Sequence, residues 1–211
     1  IFGFYKFQKI NNLKKNQIML NNLLVDKNIN GSIIISKEGL NGSISGKNKD
    51  IKTTIIRLKK ILNIKEFDSF SNSKSKFKPF HKPKVKIKKE VVPMGFKVRN
   101  YNYPSNNLNP RQWNKIIKKK DTILIDARKS FEYDVGTFKK SLNPNVENFR
   151  QFPKYLNQFK NSENIAMFCT GGIRCEKANI YLKKKGFKNV YVLKGGIINY
   201  LNNIDKKNSQ W

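Results

Sequence analysis

At 211 residues the chain is long enough for two compact domains of about 100 residues each, each able to bury a small core. Its formal net charge of +30 comes from both halves, with 23 Lys and Arg against 6 acids in residues 1–100 and 21 against 8 in residues 101–211, and points to a polyanionic partner. Two cysteines, Cys169 and Cys175, and a single histidine, His81, exclude a disulfide framework and a His/Cys metal cluster, so no metal is expected.

Lysine supplies 38 of the 44 basic residues beside 29 asparagines, a bias that an A/T-rich genome also produces, so codon drift competes with ligand binding as the source of the charge. No stretch approaches the roughly 20 apolar residues of a membrane span, and the N-terminus lacks the zones of a signal peptide. The expected location is the cytoplasm, with no membrane partner. The chain begins at Ile1 rather than Met, so its start carries no inference.

In chain order, Phe2–Gln8 reads as strand, Asn11–Lys27 as helix, Gly31–Ser36 as strand, residues 37–42 as a turn and Ser43–Gly46 as strand. A helix over about Lys49–Leu62 follows, with Ile51, Ile55, Leu58 and Leu62 at helical spacing, and a strand near Glu66–Ser71. The order β-α-β-β-α-β predicts an α/β chain whose N-terminal part is a ferredoxin-like (acylphosphatase-like) α+β domain, helices covering one face of an antiparallel sheet.

Residues 71–90 carry eight lysines and no acid before Glu90. Phe77 and Phe80 alternate with Lys74, Lys76, Lys78 and Lys82, an arrangement that can stack bases while ammonium groups meet phosphates. The competing reading is a strand from Val85 with lysines on its wet face. His81 reads as a bystander. Beyond it, Pro93, Gly95, Asn100, Asn102, Pro104, Ser105, Asn106, Asn107 and Pro110 break any periodicity and predict a linker. The expected division is 1–104 and 105–211.

The second half alternates helix and strand: a helix from Asn109 or Arg111 to Lys118, strand Thr122–Asp126, helix near Asn148–Gln158, strand Ile165–Phe168, helix Arg174–Lys185, strand Val190–Leu193 and a helix from about Ile197. That alternation predicts a parallel sheet flanked by helices.

The informative segment is Asn164 to Lys177, where a buried strand runs into Cys169-Thr170-Gly171-Gly172-Ile173-Arg174 and then a helix. A cysteine at the carboxyl end of a parallel strand stands where open α/β sheets place their sites. The glycines let backbone N–H groups turn inward at a helix N-terminus, which favours thiolate over thiol. Arg174 adds a positive charge and a fork for an anionic group. Cys169 is therefore the expected nucleophile.

Leu124-Ile-Asp-Ala-Arg, Glu132-Tyr-Asp-Val-Gly-Thr-Phe, the Cys169–Arg174 loop and Leu193-Lys-Gly-Gly-Ile together resemble the successive signatures of rhodanese domains, across the whole second half. That resemblance implies a cysteine able to carry a persulfide. The loop spans six residues; related phosphatases use one more, which disfavours phosphate-ester chemistry. The full string Cys169-Thr-Gly-Gly-Ile-Arg-Cys-Glu-Lys is more specifically similar to the rhodanese-related tRNA uridine hydroxylase family. Glu38-Gly-Leu-Asn-Gly-Ser-Ile-Ser-Gly, Lys88-Lys-Glu-Val-Val-Pro-Met-Gly and Asn143-Pro-Asn-Val-Glu-Asn-Phe-Arg resemble its other hallmarks in the same order, over about residues 2–202.

The resemblance implies oxygen-dependent conversion of a tRNA wobble uridine to 5-hydroxyuridine, with the anticodon region of tRNA as partner, dioxygen as co-substrate and no other cofactor. The alternative is a sulfurtransferase carrying a persulfide on Cys169. Members of the family commonly continue past the rhodanese core into a longer, cysteine-bearing tail, whereas this sequence has no cysteine after Cys175, so no role of that tail is carried over. Asp126 and Arg128 are expected to support the loop as an ion pair or turn cap, and Glu132 to anchor the loop after Asp126. Cys175 is expected either to fill space or to resolve an oxidised Cys169. Lys177 is expected at a phosphate or in solvent.

Overall fold

The structure is a computed structural model that describes residues 1–99, 101 and 106–211. It divides into two compact units, Ile1–Val91 and Val92–Trp211. The expected linker residues Asn100, Asn102, Pro104 and Ser105 lie outside the described residues.

The first unit builds β1 (Phe2–Phe7), α1 (Leu13–Asp26), β2 (Asn30–Ser36), β3 (Gly39–Ser45), α2 (Asn48–Leu62), β4 (Ser69–Asn72) and β5 (Pro83–Ile87). The sheet order is β4-β1-β3-β2-β5, antiparallel except for β2 with β5. The first four strands give the ferredoxin-like order; β5 is an addition at the β2 edge. Phe4, Ile33, Ile35, Leu40 and Ile44 of the sheet share one buried core with Leu20, Leu24 and Leu58 of the helices. Period-2 alternation along β2 and β3 puts one face of each strand into that core.

Two details differ from expectation. Residues 39–42 belong to β3, not to a turn: Ser36 pairs with Gly39, so Lys37 and Glu38 alone make the reversal. Leu40 is fully buried, and Gly39 at φ +145° lets the strand pass the Lys6 carbonyl, which a Cβ would overlap. The strand expected from Val85 to Val92 is realised only as far as Ile87; residues 88–92 and 73–82 have no regular structure, and β5 starts earlier, at Pro83. Its outer edge is not left bare: Gln17 of α1 donates to the Val85 carbonyl at 2.8 Å, and the Val85 N–H donates to Asn21 at 3.1 Å.

The second unit contains β6 (Asn106–Leu108), α3 (Pro110–Ile117), β7 (Thr122–Asp126), α4 (Ser130–Val135), α5 (Phe152–Leu156), β8 (Asn164–Phe168), α6 (Ile173–Lys184), β9 (Val190–Leu193) and α7 (Gly196–Asn203). The sheet runs β6-β9-β8-β7, parallel throughout. Asn109 and Gln112 form a reciprocal cap at the start of α3, with Pro110 at its first turn. Strand β6 lies where a linker is expected and pairs with β9; three residues with two asparagines carry no strand signal of their own. The expected helix 148–158 is a 3-10 turn at 149–151 followed by the short α5.

Both faces of this sheet are covered. Ile165, Met167 and Cys169 point into a core with Cys175, Ala178 and Leu182 of α6. Ala166 and Phe168, the alternate residues, point into a second core with Trp113, Phe138, Ile197 and Tyr200. Alternation along one strand thus decides which side the reactive sulfur faces.

Candidate active site

Strand β8 ends at Phe168, so Cys169 begins the turn into α6 and sits at the carboxyl edge of the parallel sheet. Gly172 adopts φ 99° as the residue before α6, a left-handed conformation suited to glycine. Its N–H donates to the Cys169 sulfur at 3.2 Å. The loop is held from outside by the first turn of α7. Ile197 N–H donates to the Cys169 carbonyl at 3.0 Å, and Ile198 N–H to the Thr170 carbonyl at 3.2 Å. These bonds draw the carbonyls outward and leave the loop N–H groups for the sulfur. Gly196, at φ +64°, allows this approach, because a Cβ there would overlap both carbonyl oxygens.

Cys169 is buried, 1% exposed, and burial pushes its thiol up. Four interactions outweigh that and bring it down to about 5: a hydrogen bond from the Cys175 thiol, the Arg174 charge, and the backbone N–H groups of Cys175 and Arg174. Cys175 is fully buried, and burial, the hydrogen bond to Cys169 and the charge of Cys169 hold its thiol well above the usual range. The pair is thus one thiolate and one thiol. A thiolate pinned at a helix N-terminus is the nucleophilic form of cysteine.

Arg174 does not offer its fork to an outside anion. Its two terminal nitrogens donate to the two carboxylate oxygens of Glu132, each at 3.0 Å. The Thr170 hydroxyl donates to Glu132 at 2.8 Å and accepts from Arg174 at 3.1 Å. Burial pushes the Glu132 carboxyl up, but Arg174, Thr170 and the Lys129 N–H bring it down to about 2. Glu132 lies on α4, a six-residue helix without a periodic signature, and it anchors the Cys loop itself. The expected tie to the segment after Asp126 is made locally, where the Lys129 N–H donates to Glu132 at 3.2 Å.

Asp126 ends β7 one strand away. Its carboxylate accepts from the Arg128 N–H at 3.0 Å and pairs with the Arg128 guanidinium at 2.6 Å, so it is both turn cap and ion-pair partner. The Arg128 guanidinium lies 5.1 Å from the Trp211 ring centre and 5.9 Å from that of Phe168. These residues brace the carboxyl edge of the sheet. Lys177 is neither at a phosphate nor in solvent: it is fully buried, and its Nζ donates to the Val92 carbonyl at 2.8 Å.

In the first unit, Lys74, Phe77, Lys78 and Phe80 line a cleft of about 600 Å³ with Lys47 and Asn48 of the β3–α2 connection. Phe77 is 76% exposed. Lys76 and Lys82 are exposed but do not line that cleft. Among the described residues, no three His, Cys, Asp or Glu side chains cluster as metal ligands, and no helix is long and apolar enough to cross a membrane.

Residues 1–91 match the UPF0176 acylphosphatase-like domain, and residues 109–203 match the rhodanese-like domain. A tRNA uridine(34) hydroxylase of Pelagibacter ubique is 64% identical over all 211 residues, which cover 70% of that protein. The chain belongs to the tRNA uridine(34) hydroxylase family. Another member, from Prochlorococcus marinus, is 42% identical over 99% of this chain and 69% of its own length. A rhodanese-related protein from Thermoplasma volcanium aligns with 46% of this chain and 91% of its own, at 21% identity and a TM-score of 0.39.

Proposed function

We propose that this protein hydroxylates the wobble uridine of tRNA to 5-hydroxyuridine, with Cys169 as the nucleophile. The observation that carries the reading is membership of a family whose curated relatives are named for that reaction, over the full chain and both units. The site supplies fitting chemistry. A thiolate can add to C6 of uracil, breaking the C5=C6 double bond and leaving electron density on C5. The C5 carbon then bonds to dioxygen and a proton completes a C5 hydroperoxide. Loss of the C5 proton with departure of Cys169 restores the C5=C6 bond, and two electrons and two protons from a thiol reductant cleave the O–O bond to give 5-hydroxyuridine and water.

In this reading Arg174, Glu132 and Thr170 hold the loop and do not transfer protons, since their side chains are engaged with one another. A base must leave its stack to reach the sulfur. The +30 net charge suits capture of the tRNA backbone, and the lysine-lined cleft with Phe77 and Phe80 is proposed as a contact for single-stranded RNA. Dioxygen is the proposed co-substrate, and the cytoplasm the proposed location.

The test is purified protein with a U34-containing tRNA under dioxygen, followed by nucleoside mass spectrometry. Appearance of 5-hydroxyuridine with the wild type and its absence with Cys169→Ser supports the reading. Absence from both, with sulfur transfer from a persulfide donor instead, replaces it by the sulfurtransferase.

A further inference from the structure

Hydroxylation by dioxygen leaves one oxygen atom to be reduced to water, which takes two electrons and two protons. The two thiols of this chain are suited to that task by placement. Cys169, at the end of β8, and Cys175, in the first turn of α6, face the same buried core, 1% and 0% exposed. The two sulfurs belong to one core cluster, and each influences the ionisation of the other. Loop residues 170–174 join them, closed by the Gly172 N–H on the Cys169 sulfur.

Resting on the hydroxylase reading, we propose that Cys175 is the resolving thiol of the reaction, so that the Cys169–Cys175 pair supplies both electrons. The C5 electron pair of the Cys169–C6 adduct bonds to dioxygen, and a proton completes a C5 hydroperoxide. Loss of the C5 proton and of Cys169 from C6 rebuilds the C5=C6 bond. The freed Cys169 thiolate attacks the distal oxygen: an S–O bond forms, the O–O bond breaks, and protonation of the C5 oxygen completes 5-hydroxyuridine. Cys169 is then a sulfenic acid. The Cys175 sulfur attacks it, the S–S bond forms, and the leaving hydroxide takes the Cys175 proton as water. The sum is uridine, dioxygen and two thiols giving 5-hydroxyuridine, water and one disulfide. An external dithiol returns the pair to its reduced form.

Burial and the charge of Cys169 keep Cys175 protonated while Cys169 is a thiolate; once Cys169 is a neutral sulfenic acid that charge is gone, and the Arg174 charge that favours the Cys175 thiolate remains. Glu132 and Arg174 lock the rest of the loop and leave the sulfur pair as its reactive part.

The test uses reduced wild-type protein, freed of reductant without oxygen, then mixed with U34 tRNA transcript and dioxygen. The expected result is about one 5-hydroxyuridine per chain, loss of both thiols and a Cys169–Cys175 linked peptide, with turnover resuming on addition of dithiothreitol. A transcript with cytidine at the same position is expected to leave both thiols reduced. Cys175→Ser, which keeps a donor toward Cys169, is expected to stop after one product with a Cys169 sulfenic acid that a 1,3-dione probe labels. Many products per wild-type chain without reductant, both thiols intact, would overturn the proposal and leave the hydroxylase reading standing. No 5-hydroxyuridine under any condition overturns both.

Discussion

The loop at residues 169–172 and the stretch at 73–82 each follow a strand and lack regular structure, yet they settle in opposite ways. In the first, Gly172, Ile197 and Ile198 bond the backbone and sulfur, and Glu132 fixes Arg174, so the reactive atom is buried and its ionisation is set by its neighbours. In the second, Lys74, Phe77 and Lys78 stay in solvent around a cleft, with Lys76 exposed beside them. The difference separates two kinds of function. Bond-making chemistry needs a group whose state the fold dictates, whereas capture of a polyanion needs mobile charge and an accessible ring.

The contrast breaks most sharply at the nucleophile. Cys169→Ser is expected to lower hydroxylation by roughly 10³ or more while leaving the melting temperature close to that of the wild type, since the side chains are of similar size. Single-turnover assays together with thermal unfolding check both halves. A smaller effect is expected from Arg174→Ala. Thiolate is the reactive form and is lost as pH falls through about 5, so wild-type activity should decline on the acid side near that value. Removing the arginine charge favours the neutral thiol, so the acid limb should move to higher pH, read from the pH dependence of single-turnover rates. An unmoved limb would mean that the Cys175 thiol and the backbone N–H groups set the thiolate without the arginine.

The lysine-rich stretch should respond in binding and not in chemistry. Phe77→Ala is expected to weaken tRNA binding by about 1–3 kcal/mol with unchanged unfolding, because stacking on an exposed ring is lost without a core contact. Equilibrium binding at fixed salt measures it, and an unchanged Kd would remove this cleft from the RNA path. Smallest is Gln17→Ala, expected to cost about 0.5–1.5 kcal/mol by freeing the β5 edge, with activity retained. Urea unfolding is the measurement.

Much of this architecture is readable from residue order, for reasons that the two regions make plain. Cys169, two glycines and Arg174 between an apolar strand and a helix can close in few ways, so spacing alone places the sulfur at the sheet edge. Glu132 as the partner of Arg174 is not readable in that way, because the pair is 42 residues apart and depends on how α4 docks. Lys177 fails as a surface prediction because a lysine in a first helical turn looks solvated until the chain at Val92 comes to meet it. Strand β6 escapes notice since its pairing with β9, and not its Asn106-Asn107-Leu108 sequence, makes it a strand. The clamp at Gly196 carries a signal that could have been used: two glycines one or two residues after a buried strand, as in the Cys loop, mark a backbone that must pass close to another.

The most direct test of the account is made in cells lacking their own wobble-uridine hydroxylase, complemented with this gene or with its Cys169→Ala version, by mass spectrometry of tRNA nucleosides. The account predicts 5-hydroxyuridine at the wobble position with the intact cysteine and none with the variant. Equal 5-hydroxyuridine from both versions would contradict it, because the chemistry would then not pass through Cys169.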